Sequence, residues 1–322
     1  MSHEEPSTPA AQNPPARRSL AGYIRDSFSA FFAQPGWWWR SALGALLITV
    51  PVVGPIVVRA YSLGWMRRTA WDPGSPWPPL TQPKDLLRVA GRFVAVGLGW
   101  GFLIAVIAVP VVAGYIGLMI WMDESGFMAN VPAAVPMFVG AITTTLLFVA
   151  IVAALLLVEL GILRATIYER AGAGVSLDGP LQLLRRHPGG FVRALATAFL
   201  AGIPAAALGA LQEVPGGYLD LDPALSAALA AVTTALLLPT AYIEFCALMI
   251  SDRAWGLWIS EIDPRTLAPL GKVPGTIPAP PIDIAPASPG NPDGETAAAA
   301  VPLVSQSPYS PEATSRSAER PQ

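Results

Sequence analysis

Five long apolar stretches, at about residues 41–64, 93–121, 134–163, 191–212 and 225–250, constrain this chain more than anything else in it. Each has the roughly 20 residues a helix needs to cross a hydrocarbon core about 30 Å thick. Lipid offers no water to backbone N–H and C=O groups, so spanning segments of this kind must be helices. A transmembrane β-strand uses about 10 residues of alternating polarity, and these runs are too long and too continuous for that. Composition agrees: 53% of the 322 residues are hydrophobic and only 13% are charged, against roughly 25% charged in soluble proteins. The sequence predicts an all-α polytopic membrane protein.

Charge orients the segments. The loop 122–133 carries Asp123 and Glu124, and the loop 213–224 carries Glu213, Asp220 and Asp222; neither has a basic residue. In contrast, 65–92 holds Arg67, Arg68, Lys84, Arg88 and Arg92, and 164–190 holds Arg164, Arg170, Arg185 and Arg186. Arg253 and Arg265 follow the last stretch. Lys and Arg accumulate on the cytoplasmic side. The last four stretches are therefore expected to form two hairpins, with acidic loops outside and the C-terminal tail in the cytoplasm. The Ala-, Gly- and Pro-rich composition with Arg over Lys points to a GC-rich bacterium, and so to a bacterial cell (inner) membrane.

The first stretch is different. Its centre reads Pro51-Val52-Val53-Gly54-Pro55, which should break a helix. The halves on either side are each about 15 Å long, half the bilayer core. A broken, re-entrant hairpin would keep Arg25, Arg40 and the N-terminus cytoplasmic; one kinked span would put them outside, against the charge rule. Residues 1–18 and 263–322 are rich in Pro, Ala and Ser and are expected to be disordered, leaving a helical membrane domain at 19–262. The first eighteen residues lack an apolar signal-peptide core, so insertion is assigned to an internal segment.

A short unit recurs. Pro35-Gly36-Trp37-Trp38-Trp39-Arg40 returns as Pro188-Gly189-Gly190-Phe191-Val192-Arg193. The first copy follows an amphipathic stretch with Leu20, Tyr23, Ile24, Phe28, Phe31 and Phe32 at helical spacing and Ser19 as its N-cap. The second follows a Leu177, Leu181, Leu184 stripe, and a third, corner-free version has Leu86, Leu87, Ala90 and Phe93. These predict interfacial helices leading into the bilayer. Trp37, Trp38, Trp39, Trp255 and Trp258 stand at the expected cytoplasmic ends, where an indole suits the lipid–water interface.

Reactive chemistry is sparse. The only histidines are His3 and His187, the single Cys246 sits in an apolar run as a small core residue, and no metal-ligand spacing, P-loop or nucleophile elbow occurs. No catalytic residue, cofactor or metal is expected, and nothing points to nucleic acid. The residues that stand out are Glu159 and Glu244, each inside an apolar stretch where a carboxylate is costly. Either they are structural, pairing with Arg59 or Arg164 or bonding a neighbouring helix while protonated, or they serve ion coupling in transport.

The run Phe28…Pro35…Trp39…Leu43-Gly44…Pro51-Val52-Val53-Gly54-Pro55…Tyr61, with Trp77-Pro78-Pro79 and Leu86-Leu87, resembles a prokaryotic membrane family. It is the domain-of-unknown-function family numbered four thousand and thirteen. Arg164-Ala165 and His187-Pro188-Gly189 also fit it, whereas Arg59-Ala60 departs from the Gly expected before Tyr61. The resemblance covers about residues 22–258 and implies a multi-helix membrane protein with no catalytic residues to transfer. Two function classes follow: a non-enzymatic structural, assembly or membrane-organising protein with a protein partner or further copies of itself, or a transporter or channel built on a broken helix and intramembrane carboxylates.

Overall fold

Helix formation starts at Ser19, whose side chain accepts from the Gly22 N–H and satisfies one of the donors a helix start leaves open. The helix that follows, α1 (Leu20–Phe32), buries Tyr23, Ser27 and Phe31, four residues apart on one face. Its aromatic stripe thus turns largely into the protein rather than into a headgroup layer. The chain then corners at Gly36, whose φ of 69° suits a residue without a Cβ. From there α2 (Trp37–Ile48) runs to a break and α3 (Val53–Trp71) resumes.

The break falls where the helix-breaking residues predict it. Val52 takes a φ of 65°, a conformation β-branched residues rarely adopt. Gly54 is required on its own account: a Cβ there would overlap the Leu47 carbonyl oxygen at the end of α2. Pro55 sits in the first turn of α3, where its missing N–H costs little.

The remaining elements are α4 (Pro83–Glu124), α5 (Ala134–Ile167), α6 (Ala171–Val175), α7 (Asp178–Arg186), α8 (Pro188–Glu213), α9 (Pro223–Ile262) and a 3₁₀ turn at Pro264–Thr266. This computed structural model describes residues 17–79, 83–125, 134–176, 178–213, 223–267 and 281, and among them there is no strand. Four helices contain segments long and apolar enough to cross a membrane: Pro83–Met122, Phe138–Ile167, Pro188–Ala210 and Ser226–Ile262.

Two sequence expectations change. The amphipathic stretch around Leu86 and Phe93 is not a separate interfacial helix; with no corner residue to stop it, it forms the first turns of α4. The folded body also exceeds 19–262 at both ends. The Arg18 N–H donates to Glu261 at 3.0 Å, Leu267 is buried, and Arg186 donates to the Thr266 carbonyl at 2.9 Å. The expected disorder of the outer tails and the acidic residues of the two loops other than Asp123, Glu124 and Glu213 lie outside the described residues.

Burial divides the helices lengthwise. At one end, which we call the base, Leu63 and Met66 of α3, Leu163 of α5, and Trp255, Trp258 and Ile259 of α9 form one core. Phe31, Trp65, Trp77, Phe245 and Met249 form a second, with Cys246 packed against it. Beyond the base, Phe102 and Val109 of α4, Phe138 and Leu146 of α5, Phe199 of α8 and Leu237 of α9 are exposed. Continuous apolar surface of this kind is foreign to a water-exposed monomer and suited to lipid.

Candidate functional site

Charged residues gather in the base. Arg59 of α3 donates from Nη1 to Asp252 Oδ1 of α9 at 2.6 Å, and its Nη2 pairs with Glu159 of α5. The Asp252 side chain is completely buried. One guanidinium therefore ties three helices through two carboxylates, using the planar donor fork that distinguishes Arg from Lys. The Arg59 carbonyl is itself held by the Ser62 hydroxyl, which donates at 2.9 Å. Buried charges are tolerated only when paired in this way.

Three further nodes surround the triad. Glu261, near the end of α9, is buried and lies 3.4 Å from both Arg193 Nη2 and His187 Nδ1, with Arg18 from the chain's start closing on it. Burial, then the negative charge of Glu261, holds the Tyr23 hydroxyl far above its ordinary pKa, so it stays protonated. Glu169, in a left-handed conformation with φ 54°, pairs with Arg67 and lies 3.9 Å from Arg92. Arg253 donates to the Pro73 carbonyl at 2.6 Å and to Thr69 and the Asp26 carbonyl at 3.3 Å, stacked over Trp65. Each node fastens elements distant in sequence.

Small residues let these helices approach. Gly161 and Gly174 bring α5 and α6 together backbone to backbone, and a Cβ on either would meet the other's carbonyl. Gly44 of α2 lies under the Phe245 ring of α9. Trp100 of α4 donates to the Gly174 carbonyl at 2.8 Å, which anchors the foot of α4 in the base.

The residues singled out in the sequence separate into distinct fates. Arg59 and Glu159 come together, as one of the pairings expected. Arg164 does not join them: its Nη1 donates to Ser176 Oγ at 3.1 Å, and its guanidinium lies over Tyr168 and fills the space above Gly179. Glu244 stays apart, exposed on α9, without a hydrogen bond or ion pair among the described residues. Pro51, Gly54 and Pro55 form the break. Trp38 and Trp39 are exposed, while Trp37 is half-buried with its ring 4.9 Å from that of Phe32.

Trp255 and Trp258 are not interfacial anchors. Both are buried, stacked with Phe191, and the Trp258 N–H donates to the His187 carbonyl at 3.0 Å. They occupy the helix end where an interface would lie, but Phe191 and Gly190 of α8 lie against them. Likewise α7 buries Leu183, while Leu181 of the expected stripe is exposed and Leu177 lies outside the described residues.

Asp252 and Glu261 escaped the sequence reading because an acid after an apolar run looks like an ordinary solvated helix end. One signal was available for Asp252 alone: it stands seven residues after Phe245 and three after Met249, on the same face of α9 as those buried side chains. Chemically the network binds and braces. Among the described residues no three His, Cys, Asp or Glu side chains stand together in a way that could hold a metal ion.

No curated protein and no solved structure matches the chain. A family described as "Protein of unknown function (DUF4013)" matches residues 43–212, from within α2 to near the end of α8, which is more than half of the 322 residues. The match takes in the break, Arg59, Glu159 and the second Pro-Gly corner, and the chain belongs to that family.

Proposed function

We propose that this chain is a non-enzymatic protein of the bacterial cytoplasmic membrane, in which the ion-paired base serves as a rigid platform for assembly with a protein partner or further copies of itself. The observation that carries this reading is the Arg59–Glu159–Asp252 triad: its carboxylates are committed to fixed internal pairing across α3, α5 and α9. No cofactor and no nucleic acid belong to this reading. Crosslinking in native membranes, followed by identification of what is captured, tests it. A stable complex or oligomer is expected; a chain recovered only as a monomer argues against assembly.

In the same reading α4–α5 and α8–α9 are two transmembrane hairpins, and α2 and α3 enter and leave on the cytoplasmic side, so both termini are cytoplasmic. Two features support a re-entrant α2. Its 12 residues reach about 18 Å, well short of the bilayer core. The turn it ends in is apolar and exposed at Val50, Val52 and Val53. A reporter active only outside the cytoplasm, fused to the N-terminus, should stay inactive; activity there would make the segment a single kinked span.

One residue favours a second reading, transport. Glu244 is exposed within the candidate span Ser226–Ile262 and is not consumed by pairing among the described residues. Intramembrane carboxylates of this kind lie on ion and proton pathways. Flux through reconstituted liposomes that disappears in Glu244→Gln, with assembly intact, would replace the first reading with this one.

A further inference from the structure

The Pro-Gly-x-x-x-Arg corner occurs twice, and its two arginines meet different electrostatic surroundings. Arg193, in the second copy, lies over Tyr23 at 5.5 Å and reaches the buried Glu261 carboxylate at 3.4 Å. Arg40, in the first copy, also rests on aromatic faces, 5.6 Å from the Trp39 ring and 5.8 Å from that of Trp77. It stands beside the hydroxyl of buried Tyr61, where the charge of Arg68 is also felt. Here the parallel ends. Among the described residues no carboxylate pairs with Arg40, and its Nε is buried without a hydrogen-bond partner.

A half-buried guanidinium that rests on aromatic rings and has no carboxylate partner among the described residues is suited to take an anion from outside the chain on its Nη groups. The surroundings say which kind. Trp39, Leu43 and Leu46 recur along one face of α2 and are all exposed, with Trp38 beside them. An inorganic anion gains nothing from such a rim, whereas a molecule that carries its own acyl chains does. Basic side chains set among membrane helices take lipid phosphates in this way.

We propose that Arg40 anchors a binding site for the phosphate of an anionic membrane phospholipid, whose acyl chains lie along Trp39, Leu43 and Leu46. This deepens the reading of α2 as a membrane-embedded helix and rests on it. The second corner needs no such ligand, because Glu261 supplies the anion from within.

The test uses the full chain purified in non-ionic detergent and titrated with phosphatidylglycerol or phosphatidylcholine, with bound lipid counted by native mass spectrometry. Phosphatidylglycerol should bind about tenfold more tightly than phosphatidylcholine, and Arg40→Gln should erase that difference, about 1.4 kcal/mol. Arg40→Lys keeps the charge but loses the donor fork and should fall between. Arg88→Gln, which removes an exposed cation 3.4 Å from Asp85, should leave binding unchanged. A tenfold excess of inorganic phosphate should not displace the lipid; displacement would overturn the lipid as the source of the phosphate. Equal binding of both lipids, or undiminished selectivity in Arg40→Gln, would overturn the site. If Arg40→Gln does not fold, full selectivity in Arg40→Lys does the same. The titration is indifferent to which side of the membrane holds the N-terminus, so it and the topology reporter can fail separately.

Discussion

The base and the apolar arms are parts of the same helices, yet they are stabilised by different physics. In the base, α9 carries Asp252, Arg253 and Glu261, each held by partners from other helices, and its tryptophans are sealed inside. Toward its other end the same helix presents Val232, Leu237 and Leu238 to its surroundings. Packing and paired charge order the first region. The second relies on lipid as solvent, because its backbone satisfies itself within each helix. What differs is the partner of each side chain, not the secondary structure.

The sharpest way to break the comparison is to strip the base of its countercharge. Arg59→Met leaves the buried Asp252 and the half-buried Glu159 without a cation and should cost about 3–5 kcal/mol, read as a large fall in melting temperature in detergent. Replacing all three members by apolar residues of similar size should recover most of that loss. If Arg59→Met melts like the parent, the triad is not what holds α3, α5 and α9 together.

Truncating one apolar side chain in each region comes next. Leu163→Ala in the base should cost about 2–5 kcal/mol, because Leu163 is fully buried and leaves a cavity. Leu146→Ala on the arm of the same helix, where the side chain is exposed, should cost less than about 1 kcal/mol. Equal losses would mean that the arm is packed against something in the native protein, and would point to oligomerisation through α5.

Glycines sharpen the contrast further, because the two regions should respond with opposite sign. Gly256→Ala would drive a methyl to 2.6 Å from the Met66 carbonyl oxygen, and overpacking of this kind costs about 1–3 kcal/mol. Gly114→Ala meets nothing within 4 Å and should stabilise α4 by about 0.5–1 kcal/mol through helix propensity. Thermal melts of both variants decide it. Trp258→Phe removes the donor to the His187 carbonyl and leaves space at a fully buried site, so it should cost at least about 1 kcal/mol, visible as a shift of a few degrees in the same melt.

Much of the scaffold could be read directly. Length and apolarity located all four candidate spans, because a bilayer demands about 20 apolar residues whatever the neighbours do. Pro51, Gly54 and Pro55 marked the break, and Gly36 the corner, because those residues act through their own backbones. The site was only half legible. An acid inside an apolar run, Glu159, announces itself by its cost, whereas Asp252 and Glu261 follow the apolar run and carry no such mark.

Sequence alone determined what each residue's own chemistry and its helix neighbours impose: four helices fit for lipid, an interrupted fifth segment, the Ser19 cap and a repeated Pro-Gly corner. Tertiary structure decided the partners. It turned Trp255 and Trp258 inward, sent Arg59 to Glu159 and Asp252 but Arg164 to Ser176, and gave Arg193 a carboxylate while giving Arg40 none. Periodicity places a side chain on a face of its helix. Which helix lies across from that face depends on contacts between residues far apart in the chain, and no local pattern encodes them.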